Sequence, residues 1–203
     1  MRRMPVLAAI AATAIMVASS SCHAGLLGMP IGLLSVIQHI RFETPTLAPM
    51  SHTLFCLRYE HECRAHKLFR GGPIRLTEAR WAELNEVNLT VNRAIIPERN
   101  ERGLARETWL IDPERGDCND YAVTKRHRLL TRGWPARILL LGEVAIPSGE
   151  HHLVLLVRTR SGDVVLDNLT PQIRPWARAP YRWVRIQLPD NPRYWTTVAQ
   201  RLT

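Results

Sequence analysis

The chain predicts an α+β fold in which helices come first and an antiparallel sheet follows, and three observations carry that reading. Apolar Trp81, Leu84, Val87 and Val91 recur at spacings of three and four after Thr77, a good N-cap, so a helix is expected to Ile95, stopping before Pro97. A second helix is expected from Cys118 to about Arg132, with Asp117 as N-cap, Gly133 as stop, and Tyr121, Ala122, Leu129 and Leu130 on the buried face. Beyond it the pattern changes to short Val-, Ile- and Leu-rich runs, 136–144, 152–158, 163–167 and 181–188, each bounded by Gly, Pro or Ser. Helices followed by consecutive strands imply one antiparallel sheet. No internal repeat or low-complexity tract is visible.

The chain divides into three stretches. Residues 1–24 have the layout of a secretory signal peptide: Arg2 and Arg3, an apolar run from Val6 to Ala18, then small residues ending at Cys22-His23-Ala24. The apolar run is shorter than the roughly 20 residues that a membrane-spanning helix needs. Cleavage after Ala24 is the first expectation, giving a periplasmic or secreted protein. Lipid attachment at Cys22 is the second, disfavoured by Ser19-Ser20-Ser21, which lacks a branched apolar residue. Residues 25–50, rich in Gly, Pro and Leu, read as a leader, and residues 51–203 as the functional domain. Cleavage leaves 179 of the 203 residues, room for one domain with a real core. The segment from Pro97 to Gly116 reads as a long loop, and such loops are often functional.

The net charge of +9 falls to +7 when Arg2 and Arg3 leave. The basic residues are scattered, with no block of five or six, and all but Lys67 and Lys125 are arginine. Nucleic acid is therefore not the expected partner. Cys22 leaves with the signal. Cys56 and Cys63 flank a short loop and are assigned a local disulfide, which contributes about 2–3 kcal/mol in the chain-entropy model. The competing reading groups Cys56, His61, Cys63 and His66 as metal ligands, but their spacing fits no common zinc pattern. Cys118 is left over, and an unpaired cysteine in an exported chain is either reactive or protected by burial.

Cys118 lies in the polar stretch Gly116-Asp117-Cys118-Asn119-Asp120, at the expected first turn of a helix. There the macrodipole favours a thiolate, and unpaired N–H groups could hold an oxyanion. A base must take the thiol proton and later protonate the leaving group. His152, opening an apolar strand, fits that need, while His151 points to the other face. Asp167 closes the next strand after Val164-Val165-Leu166 and is the acid expected to orient the imidazole. Register decides whether the pair meets. If Arg158 opposes Asp163, Asp167 opposes Val154 and His152 is its diagonal neighbour on the same face. A tight turn at Ser161-Gly162 would instead put Asp167 opposite Leu156, about 13 Å from His152.

Several spaced motifs then carry a family resemblance: Phe55-Cys56 with Cys63, Val91-Asn92-Arg93, Gly116 to Tyr121, Arg132-Gly133-Trp134-Pro135, His152 before an apolar strand, and Val165-Leu166-Asp167-Asn168. In this order the chain resembles the bacterial transglutaminase-like cysteine proteinases. The resemblance implies a transglutaminase-like (papain-like) core, with Cys118 as nucleophile, His152 as base and Asp167 as orienting acid. In family members that cleave adhesins, acids on both sides of the nucleophile help to bind calcium. Here Asp117 is kept, but Asn119 stands where a glutamate is usual, so the calcium site is expected to be weakened and no cofactor is expected to be required. Trp109 and Asn92 are candidate cleft residues, with Trp109 near the oxyanion and packing as the competing role for both.

The function expected from these residues is peptide-bond hydrolysis through an acyl-thioester, acting on a protein or peptide in the cell envelope, by a monomer. Amide transfer to an amine would share the first half of that reaction. A non-catalytic envelope binding module is the alternative from another class.

Overall fold

The computed structural model describes residues 38–65, 71–99 and 107–199. The expected signal peptide, the first half of the leader, His66 and Lys67 lie outside the described residues.

The core is organised by two strands that have almost no polar side chain to expose. β4 (Leu139–Ala145) and β5 (His151–Val157) pair antiparallel from Leu139↔Val157 to Ala145↔His151. Strands this apolar need cover on both faces, and they sit inside a seven-stranded sheet with the order β1-β9-β8-β4-β5-β6-β7. The other strands are β1 (Phe42–Thr46), β6 (Val164–Leu166), β7 (Arg174–Pro175), β8 (Arg182–Gln187) and β9 (Trp195–Val198), and every neighbouring pair is antiparallel. This is the α+β arrangement that the sequence predicts.

Alternation along the strands sends side chains to two cores. On one face Leu139, Leu141, Leu153, Leu155, Val157 and Leu166 meet the helices, while on the other Leu140, Val144, Val154, Leu156 and Val165 meet Trp176, Tyr181 and Trp183. Gly142 lies where Trp183 crosses β4. A Cβ there would come within 2.7 Å of the indole Cζ3, so the backbone has room for nothing larger than hydrogen.

Three helices cover the first face. α1 (Met50–Arg58) leads into a 3-10 turn, Glu60–Cys63, and the Cys56–Cys63 disulfide ties the two together with a Cα–Cα separation of 5.4 Å. That is the expected pairing, and it removes Cys56 and Cys63 from the early metal reading. α2 (Glu78–Ala94) begins at Thr77, whose hydroxyl accepts the Arg80 N–H at 3.3 Å. Its buried stripe is Leu84, Val87, Asn88 and Val91. Trp81, expected on that stripe, is 39% exposed. Asn88 goes in because its amide donates to the Pro171 carbonyl at 3.0 Å.

α3 (Cys118–Thr131) begins at Asp117 and ends before Gly133, whose φ of 82° is the left-handed conformation that stops a helix. The loop expected between Pro97 and Gly116 is pinched at its ends by two-residue strands, β2 (Ile96–Pro97) and β3 (Arg115–Gly116), which pair in parallel. Within the stretch read from sequence as leader, residues 42–46 form β1 on the sheet edge beside β9. Pro45 is tolerated there because an edge strand has one unpaired side. Among the described residues, no helix is long and apolar enough to cross a membrane.

Candidate active site

The β5–β6 register settles which side chains can meet. Leu155 faces Leu166, Leu156 faces Val165 and Val157 faces Val164, so the same ladder carried one step further sets Asp167 against Val154. This is the register of the longer loop, closed by the Thr159 hydroxyl donating to the Gly162 carbonyl at 2.6 Å. His152 and Asp167 thus share a face, and their side chains join at 2.8 Å, His152 Nε2 to Asp167 Oδ1. His151, on the opposite face, pairs with Glu143.

Asp167 is buried, and burial alone would raise its pKa. Hydrogen bonds from His152, from the Tyr181 hydroxyl and from the Leu169 N–H outweigh that effect and hold the carboxyl below its ordinary value. An ionised carboxylate only accepts, so His152 Nε2 is the donor of the pair and Nδ1 is left clear of Asp167. Asn92 does not face open space: its amide donates to the Asp167 carbonyl at 2.9 Å and fixes the end of β6. Trp109 is 2% exposed, packs beside His52 and Phe55, and gives its indole N–H to Glu107. The Trp109 indole N–H and one N–H of Asn92 are thus committed to other partners.

Cys118 is the first residue of α3 and the free cysteine among the described residues. Because β6 pairs only with 155–157, the earlier half of β5 lacks a partner on that side, and the Leu153 backbone N–H there is near enough to the Cys118 thiol to favour its ionised form. The thiol thus lies against the residue that follows His152, although no hydrogen bond joins Cys118 to the imidazole itself.

The helix start does not activate the thiol as expected. Burial pushes Cys118 up to about 12, the Leu153 N–H opposes this, and the charges of Asp117, Glu107 and Asp167 push it further up. Burial, the largest cause, outweighs the lowering expected from the helix start, and the local charges add to it. Asp117 accepts the Asn119 N–H at 2.9 Å while Asp120 reaches back to the Asp117 N–H at 3.0 Å, so a capping box fills the positive pole with carboxylates. Gly116 is required beside it, since a Cβ there would strike the Asp120 side chain. Burial, with the Leu110 N–H opposing and the Asp117 charge adding, raises Asp120 to about 7.

Sequence reasoning missed Glu107 and Tyr181. Glu107 Oε1 accepts from Asn119 Nδ2 at 2.7 Å, and Oε2 accepts from the Ser51 hydroxyl at 2.7 Å and from Trp109 Nε1 at 3.3 Å. This bears on calcium, which takes about six to eight oxygen ligands. Both Asp120 oxygens are held by backbone N–H groups, both Glu107 oxygens by side-chain donors, and Asp117 Oδ1 by Asn119. Asn119 points N–H at the nearest carboxylate where a glutamate would add charge. In this arrangement Asn119 turns an N–H donor toward Glu107, and the oxygens around it are engaged by internal donors that an ion would have to displace.

A cysteine at a helix start beside a His–Asp pair, held on adjacent strands of an antiparallel sheet, is the architecture of a cysteine hydrolase. The chain belongs to the bacterial transglutaminase-like cysteine proteinases (BTLCP), whose family model matches residues 42–202. Among solved structures it is similar to LapG of Legionella pneumophila, with 25% identity, a TM-score of 0.45, and 52% of this chain aligned to 62% of LapG. The EGTA-treated form of LapG gives the same values. The calcium-bound form gives 23% identity and a TM-score of 0.49, with 59% of this chain aligned to 71% of LapG. The first alignment thus spans less than two thirds of LapG's length. A comparison with curated proteins finds no match.

Proposed function

We propose that the chain is an exported cysteine peptidase in which Cys118, His152 and Asp167 act as nucleophile, base and orienting acid. The observation that carries this reading is the 2.8 Å His152–Asp167 contact, with Cys118 at the start of α3 close enough to feel the Leu153 N–H and the Asp167 charge. The thiol is protonated at rest. On substrate binding, His152 Nδ1 takes the thiol proton, and the sulfur attacks the peptide carbonyl carbon and forms a tetrahedral oxyanion. The C–N bond then breaks, the leaving amine takes the proton from His152, and an acyl-thioester remains. Water, deprotonated by His152, attacks the thioester; the C–S bond breaks and the proton returns to sulfur. Asp167 stays ionised throughout and holds the imidazole.

The peptidase unit takes in β1 as well as residues 51–203, and residues 1–24 act as its export signal. The substrate is a protein or peptide of the cell envelope and the enzyme is a monomer. No step of the chemistry runs through a metal.

The test is the rate of Cys118 alkylation against pH, read by mass spectrometry in wild type, His152→Ala and Asp167→Asn. Wild type should react at pH 7 at least tenfold faster than His152→Ala, with Asp167→Asn between them. Equal rates in all three would sink the triad and favour a binding module, the reading that the high pKa of the resting thiol supports. A peptide-release assay with and without a primary amine separates hydrolysis from amide transfer.

A further inference from the structure

Glu62 is a buried carboxylate with more partners than its charge requires. Its Oε2 is held by the Arg126 guanidinium at 2.9 Å, and both side chains are 1% exposed, so the charge is already matched. Its Oε1 is nevertheless approached by two imidazoles, His127 Nδ1 at 2.6 Å and His61 Nε2 at 3.3 Å. The three ligand atoms all lie within 4.8 Å of one another, and the rings meet edge-on at 6.1 Å between centroids. The His61 side chain is 65% exposed, so water reaches the cluster from that side.

We propose that His61, Glu62 and His127 form a binding site for a divalent transition-metal ion of the zinc class, with water completing the coordination. Two imidazole nitrogens and one carboxylate oxygen are a zinc donor set and a poor one for calcium or magnesium, which prefer oxygen alone. Tetrahedral ligands at about 2.0 Å from zinc sit roughly 3.3 Å apart. The His61–Glu62 distance already has that value, and the His127 contact need only open as the ion replaces the shared proton. Arg126 supplies the outer hydrogen bond that fixes a ligating carboxylate.

The site joins two distant segments. His61 and Glu62 lie on the 3-10 turn that contains Cys63 of the disulfide, and His127 lies on α3 nine residues after Cys118. At 1.5 Å per residue the ion would sit about 14 Å along the helix from the nucleophile. It would therefore clamp the disulfide turn to α3 and take no part in peptide cleavage.

Isothermal titration of the EDTA-stripped mature chain with zinc chloride tests this, in wild type, His61→Ala, His127→Gln and Cys118→Ser. One zinc per chain is expected in wild type and Cys118→Ser, at least tenfold weaker binding in both histidine variants, and no binding of magnesium at the same concentration. The cobalt(II) form should show ligand-field bands without a thiolate charge-transfer band. His61 is exposed, so its variant reports on the site even if His127→Gln folds poorly. Undiminished zinc binding in His61→Ala, loss of binding in Cys118→Ser, or no saturable binding in wild type would overturn the proposal.

Discussion

Tyr181 donates its hydroxyl to Asp167 Oδ2, the oxygen that His152 does not use. Its ring stands edge-on to the imidazole with centroids 6.0 Å apart, so one side chain holds both members of the pair. Tyr181→Phe keeps the ring and removes the donor. The expected result is a fall of about tenfold in the Cys118 alkylation rate at pH 7, on the scale of one hydrogen bond to a charged group. Unchanged alkylation would mean that Asp167 needs no help from this side.

Glu107 is one of the charges that raise the Cys118 pKa. Glu107→Gln removes the charge and keeps one acceptor oxygen, which can serve either Asn119 or the Ser51 and Trp109 donors but not both sides. Its expected effect is to move the alkylation profile to lower pH, with a severalfold faster rate at pH 8. A profile moved to higher pH would show that Glu107 acts on the thiol by some route other than its charge.

Calcium should have little effect on this chain. At millimolar concentration it is expected to leave the wild-type melting temperature within about 1 °C, because the oxygens near Asn119 are already satisfied by internal donors. Asn119→Glu exchanges an N–H donor for a carboxylate beside Glu107. That variant should be less stable in EGTA and regain stability with calcium. A clear wild-type shift would require these side chains to rearrange around the ion.

His52 makes stability depend on acid. It is 1% exposed, accepts the Trp195 indole N–H at 3.3 Å, and is lowered to about 3 by burial, with the charges of Arg126 and Arg193 adding. Below its ordinary value of 6.5 the unfolded chain takes up a proton that the folded chain refuses, so this contribution is present above pH 6.5 and lost as pH falls towards 3. Asp120 has the opposite sign, since its folded pKa of about 7 makes the folded chain bind the extra proton between pH 4 and 7. Urea denaturation of His52→Gln should show a stability-against-pH slope between pH 6 and 4 that differs from wild type by up to about 1.4 kcal/mol per unit. Parallel curves would refute the assignment.

Gly142→Ala tests the packing against Trp183. Overpacking at such a contact costs about 1–3 kcal/mol, to be read as a lower urea midpoint at unchanged slope.

Much of this was legible where local chemistry decides. Thr77 and Asp117 cap their helices because a side-chain oxygen meets a free N–H within three residues. The β5–β6 register was narrowed to two by loop length, and the longer loop is the one that forms. What stayed hidden depends on partners far along the chain. β1, with Pro45 and exposed centres, is a strand only because β9 lies beside it, and β9 is only four residues long. α1 offers His52 and Cys56 to the core, residues that hydrophobic periodicity does not count. Glu107 sits in an irregular loop, and its meaning comes from Ser51 and Asn119. The thiol pKa was misjudged because the dipole was weighed without burial and without the carboxylates that the fold brings around it.

Thiolates, far more than thiols, react with peroxide and with stray disulfides. A nucleophile held near 12 until substrate arrives is almost entirely thiol at neutral pH. Burial first, and then the carboxylates around the head of α3, keep the sulfur protonated, so its reaction with any electrophile depends on a base that takes the proton as the new bond forms.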